Sequence, residues 1–148
     1  MEILIVFLGL LLDRLSKIWA ISELSENSGI ILIKDFFGLE YLENRGAAFG
    51  ILQNKTILLA IVTLFVISGM IYYIIAYKPK SKLVRLSFAM IISGALGNLY
   101  DRLFYKYVVD FILLHYKDVY YFPTFNIADM LVVLGTCILM ISILKGDI

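Results

Sequence analysis

Apolar residues run along this chain in long stretches, and the ionisable residues gather towards the ends of those stretches. A bilayer core of about 30 Å takes roughly 20 apolar residues in a helix. Four segments meet or approach that length, at about 3–21, 57–77, 83–104 and 125–144. The second is the cleanest, whereas the first and third carry charges near their C-terminal ends, which is costly in lipid. Between the first two, Ile30-Ile31-Leu32-Ile33 and Phe37 to Leu42 are β-prone runs, with turn chemistry at Asp35 and Gly38. The pattern predicts a mainly α membrane fold, one domain over residues 1–148. It has four transmembrane helices and a small extracytoplasmic β-sheet resting on the membrane surface. Residues 105–124 form an aromatic-rich outer segment, with Tyr105, Tyr107, Phe111, Tyr116, Tyr120, Tyr121 and Phe122 suited to the headgroup region.

Composition sharpens this picture. The chain is 61% apolar and its mean hydropathy is +0.92, against about half apolar for a soluble domain. A net charge of +1 gives no reason to expect a nucleic-acid partner. Cys137 is the single cysteine and His115 the single histidine, so neither an intrachain disulfide nor a zinc site is expected. No metal or organic cofactor is expected either. The opening stretch lacks a basic region before its apolar run and continues into Asp13-Arg14-Leu15-Ser16-Lys17, so it reads as a retained membrane helix. The basic cluster Lys78-Pro79-Lys80-Ser81-Lys82, followed by Arg85, is expected on the cytoplasmic side. With four spans both termini are then cytoplasmic, and residues 22–56 and 105–124 face outward.

Ionisable residues near apolar spans are the informative ones. Asp13 and Lys17 stand four apart, a spacing that an intrahelical ion pair also explains. On the third span Ser93 and Gly97 form a small-residue face, and Asn98, Asp101 and Arg102 share a face at i, i+3 and i+4. A purely structural polar network accounts for these residues as well as a supporting role in chemistry does. Asp110 lies between apolar neighbours, where a carboxylate must be paired or protonated. Asp129 opens the fourth helix, where the helix dipole favours it, with Thr124 expected as the N-cap behind Pro123. Asn44-Arg45-Gly46-Ala47-Ala48-Phe49-Gly50 offers a hydrogen-bonding amide and small residues that permit close backbone approach, or simply a tight turn. His115 and Trp19 read as interfacial residues.

The blocks around Asp13 and Lys17, Asn44 to Phe49, Gly94 to Arg102, Val108 to Phe111 and Phe125 to Asp129 resemble, in order, the signature blocks of lipoprotein signal peptidases. The resemblance spans nearly the whole chain. It implies an aspartic endopeptidase of the bacterial cytoplasmic membrane, with its active site near the outer face. Such an enzyme removes the signal peptide of prolipoproteins just before a diacylglyceryl-modified cysteine. The family's catalytic aspartates fall on Asp110 and Asp129. Its supporting and substrate-binding positions fall on Asp13, Lys17, Asn44, Gly46, Asn98, Asp101, Arg102, Asn126 and Ala128. Diacylglyceryl-modified prolipoproteins, membrane lipid and globomycin-type cyclic peptides are the partners the resemblance implies. Ser93 replaces the family's usual glycine, and Arg45 stands where a small polar residue is common.

Two carboxylates a few ångströms apart do not both ionise cheaply, so one keeps a proton while the other acts as base towards a water. A transporter would spread its charges through the bilayer depth, whereas these cluster at one end. A structural subunit would explain the small-residue packing but not two separate aspartates.

Overall fold

The computed structural model describes residues 1–47 and 51–146. These form four helices, α1 (Glu2–Leu24), α2 (Thr56–Tyr77), α3 (Lys82–Phe104) and α4 (Ile127–Leu144). Four strands accompany them, β1 (Ile30–Ile33), β2 (Phe37–Asn44), β3 (Val108–Tyr116) and β4 (Tyr120–Tyr121). α2, α3 and α4 are long and apolar enough to cross a membrane. α1 is as long, but it carries Asp13, Arg14 and Lys17 in its middle.

Charged and amide side chains are buried among apolar ones, and many large apolar side chains lie outside. Side chains such as Ile3, Phe65, Tyr72 and Leu144 are exposed, while Asp13, Lys17, Asn98, Asp101, Asp110 and Asn126 are buried. α3 is the central helix, and α1, α2 and α4 all pack against it. Small residues make this possible. A Cβ on Gly94 would overlap the Ala128 carbonyl of α4, and one on Gly97 would lie 2.5 Å from a carboxylate oxygen of Asp13. Ser93, in the place of a glycine, donates its hydroxyl to the Val6 carbonyl at 3.1 Å. Gly9 on α1 leaves the room for it.

The buried face of α1 is one stripe, Gly9, Asp13, Lys17, Ala20 and Leu24, at helical spacing. Its far end meets the sheet, where Ala20 and Leu24 pack with Val109 and Phe111. The sheet is antiparallel in the order β1-β2-β3-β4. The two expected strand runs are present, but the segment expected only as an aromatic outer stretch supplies β3 and β4 as well. Phe111, expected at the headgroup level, is 5% exposed and belongs to the core, with Trp19 edge-on at 6.5 Å. The alternation of β3 is masked because both faces of Val108 to Phe111 are buried.

α4 starts later than expected. Residues 122–125 run extended beside β3: Phe125 N–H donates to the Ile112 carbonyl, and the Phe125 carbonyl accepts from Phe111 and Ile112 N–H groups. Thr124 is therefore not the cap. Asn126 is, and with Asp129 it forms a capping box.

Candidate active site

Asp110 reaches its position through the pairing of β2 with β3. Leu42 lies opposite Asp110 and Asn44 opposite Val108, so Asn44 is the same-face diagonal neighbour of Asp110. The register shifts between Leu39 and Leu42, where β2 carries one extra residue. Continuing the Leu39–Ile112 pairing without that bulge would set Glu43 opposite Val108. The bulge thus brings an amide rather than a second carboxylate alongside Asp110. The Asn44 amide donates to Asp110 Oδ2 at 2.9 Å.

Asp129 reaches its position through the cap of α4. Its backbone N–H donates to Asn126 Oδ1 at 2.9 Å, and its Oδ2 accepts from the Asn126 N–H at 3.2 Å. The Asn126 amide nitrogen donates to Asp110 Oδ1 at 2.6 Å. One asparagine therefore caps the helix that carries Asp129 and holds Asp110. Asn98 completes the link by donating to Asp129 Oδ1 at 2.7 Å. Both aspartates line one cavity of about 730 Å³ together with Asn44, Asn98 and Arg102. Its remaining wall is largely apolar, with Phe122, Phe125, Met130 and Val133 among the lining side chains.

Burial pushes the Asp110 carboxyl up to about 7, and the nearby Asp129 charge adds to the effect, against the opposing hydrogen bonds of Asn44 and Asn126. The site thus holds one carboxyl whose acidity is weakened by burial, close to a second aspartate.

The other anticipated residues form a buried support on α1 and α3. Lys17 is fully buried and touches Asp13 at 3.0 Å, Asp101 at 2.9 Å and Asn98 Oδ1 at 3.0 Å. The Asp13–Lys17 spacing is therefore more than a surface ion pair. Asp13 also accepts the Ala128 N–H of α4 at 3.1 Å, and Asp101 accepts the Val109 N–H of β3 at 3.2 Å. Each carboxylate fixes the backbone next to one of the aspartates of the cavity. Gly46 is buried next to two cavity-lining side chains: its N–H donates to Asn44 Oδ1 at 2.9 Å and its carbonyl accepts from Arg102 at 3.4 Å. Ala48, Phe49 and Gly50 of the same motif lie outside the described residues.

Sequence reasoning overlooked Arg14. Its guanidinium donates to Asp101 Oδ1 at 2.7 Å and lies over the rings of Tyr100 and Tyr105. Its only sequence signal was a charge within an apolar span. Arg45 stays outside the site, exposed and paired with Glu43 at 3.0 Å. His115 stacks on Tyr121 at 5.2 Å, with its Nδ1 2.8 Å from the Lys117 carbonyl.

Known proteins resemble this chain over nearly its whole length. The model of the signal peptidase (SPase) II family matches residues 5–145. A lipoprotein signal peptidase of Clostridium novyi is 61% identical over 145 residues, covering 98% of each chain. One from Clostridium acetobutylicum is 58% identical over 147 residues, covering 99% of this chain and 96% of its own. A solved bacterial membrane enzyme superposes with a TM-score of 0.86 at 30% identity, covering 97% of this chain and 87% of its own. A second bacterial membrane enzyme structure gives 0.85 at 29%, covering 97% of this chain and 92% of its own. With a family match across nearly its whole length, close relatives of its own size and the same fold in solved membrane enzymes, this chain belongs to the signal peptidase II family of membrane proteases.

Proposed function

We propose that this protein is an aspartic endopeptidase that removes the signal peptide of prolipoproteins, cutting before a diacylglyceryl-modified cysteine, with Asp110 and Asp129 as the catalytic pair. The observation that carries this reading is the convergence of the two carboxylates on one apolar-walled cavity, tethered to each other through Asn126 and Asn98. Charge balance supports a shared proton. Asp13, Asp101, Asp110 and Asp129 are four carboxylates beside the cations Arg14, Lys17 and Arg102, while Glu43, which also lines the cavity, is matched by Arg45. The cluster is neutral when the pair holds one proton, the arrangement of lowest cost in a poorly solvated site.

Asp110 holds that proton near neutral pH and Asp129 serves as the base. Asp129 takes a proton from a water between them, and the resulting hydroxide attacks the scissile carbonyl carbon. Asp110 donates to the carbonyl oxygen, forming a tetrahedral diol; Asp129 then gives its proton to the leaving amine as the C–N bond breaks, and a diol hydroxyl returns a proton to Asp110. The apolar walls accept the diacylglyceryl chains and the signal helix, which approach through lipid. Globomycin-type cyclic peptides inhibit by filling the same cavity. α1 acts as a fourth span, since its charges face α3 and α4 rather than lipid. The enzyme sits in the bacterial cytoplasmic membrane with both termini cytoplasmic and the cavity near the outer face, as the basic Lys78–Lys82 loop suggests.

One assay tests the reading. A precursor with and without its diacylglyceryl group is incubated with wild type, Asp110→Asn, Asp129→Asn and the double variant, with rates normalised to folded protein. Wild type cuts the lipidated form far faster, each single variant loses roughly 10³-fold or more, and the double variant is hardly worse than either. More than a tenth of wild-type activity in a folded single variant removes that aspartate from the pair. Equal rates on both precursors overturn the lipid requirement.

A further inference from the structure

A second cavity, at the opposite end of the helices, has no part in the peptidase reading. It measures about 850 Å³ and is lined by α1, α2 and α3. Arg85 at its mouth stands 13 residues before Asn98 on α3, roughly 20 Å away along the helix. α1 and α2 both pack on α3, and the cavity is the cleft left between them. Val6, Ile74, Ala89 and Ile92 contribute its apolar walls. Its polar lining consists of Glu2, Lys78 and Arg85.

That rim is cationic and laid out by the fold. Lys78 is the left-handed C-cap of α2, and its N–H donates to the Ile74 carbonyl at 3.1 Å, which holds the residue at the lip. It is exposed, Lys80 follows in the same short loop and Lys82 opens α3. Arg85 Nε meets Glu2 Oε1 at 2.8 Å while its side chain stays 46% exposed. Two cations and one carboxylate thus border an apolar cleft in the membrane-embedded part of the molecule. A lone anion would leave the apolar walls uncovered, and a zwitterionic lipid would leave the charge excess unmatched. A molecule with an acyl chain and an anionic head satisfies both.

We propose that this cleft binds one anionic glycerophospholipid of the leaflet opposite the aspartates, with an acyl chain between α1 and α2 and its phosphate on Arg85 and Lys78. Basic pockets between membrane helices recognise anionic head groups in this manner. Glu2 competes with the phosphate for Arg85, so removal of its charge strengthens lipid binding.

Delipidated full-length protein in detergent is titrated with dioleoyl phosphatidylglycerol or dioleoyl phosphatidylcholine, and bound lipid is counted by native mass spectrometry. One phosphatidylglycerol is retained in preference to phosphatidylcholine, and Lys78→Gln or Arg85→Gln each lowers that preference about fivefold. Lys78→Arg keeps it, and Glu2→Gln raises it, whereas a purely structural Glu2–Arg85 pair would give no gain. Glycerol phosphate alone does not bind. Equal binding of the two lipids, an unchanged preference in Lys78→Gln, no gain in Glu2→Gln, or binding of glycerol phosphate as tight as that of the lipid overturns the proposal. Binding is read without cleavage, so failure here leaves the aspartate pair untouched.

Discussion

Asp110 accepts amide hydrogen bonds at both of its oxygens, yet burial outweighs them and holds its proton to about pH 7 from an ordinary 3.8. This has a consequence for stability. In the unfolded chain the proton leaves near 3.8, so between that pH and about 7 the folded state binds more protons than the unfolded one. Stability from this group is complete at acid pH and is lost as pH rises through the window, by on the order of a few kcal/mol. Thermal unfolding in detergent from pH 4 to 8 measures it. Asp110→Asn has no such proton, so its melting temperature should gain on that of wild type as pH rises. A constant gap would mean that Asp110 titrates near its ordinary value. Asp110, Asp129 and Asn98 were legible as candidates because they are polar residues bordering apolar runs, whereas Asn126 came from the family resemblance. Arg14 was not legible, because only the approach of α3 gives it Asp101 as a partner.

At the scale of elements, the site depends on how closely α3 and α4 approach. Gly94 faces the Ala128 carbonyl, the residue before Asp129, and that neighbour is backbone that cannot rotate away. Gly94→Ala should therefore push α4 outward, cost roughly 1–3 kcal/mol and slow cleavage. Gly69 on α2 is the opposite case, since a Cβ added there would meet nothing within 4 Å. Gly69→Ala should be neutral or gain up to about 1 kcal/mol from helix propensity. Melting temperatures of the two variants check this, and a Gly94→Ala protein as stable as wild type would show that the helices have slack. The small-residue face was readable from the spacing of Ser93 and Gly97. Its partner Gly9 was not, since a glycine in an apolar run carries no periodic signal of its own.

At the scale of the whole molecule, charges buried away from an apolar helical exterior suit a membrane, and orientation is the remaining variable. The basic stretch Lys78 to Lys82 lies at the end of the helices away from the aspartates. It should remain cytoplasmic, leaving the cavity near the outer face. Cys137 is the only cysteine, so single-cysteine labelling in a Cys137→Ser background is direct. A cysteine at Ser81 should resist an impermeant thiol reagent in intact cells, and one at His115 should react. The reverse pattern would invert the topology and move the proposed site to the other leaflet.

The amino-acid pattern alone determined the membrane class and the helices and marked candidate polar residues, because long apolar runs and the polar groups interrupting them are properties of the chain in one dimension. It also marked β1 and the start of β2, whose turn chemistry is local. It did not reveal β3, because burial on both faces erases alternation, nor the cap of α4, because Asn126 acts as cap only once residues 122–125 are held extended against β3. Least of all could it show the bulge in β2. One extra residue between Leu39 and Leu42 decides whether Asn44 or Glu43 comes to Asp110. Strand register is set by pairing across 66 residues of sequence, and a shift of one residue turns every side chain to the other face.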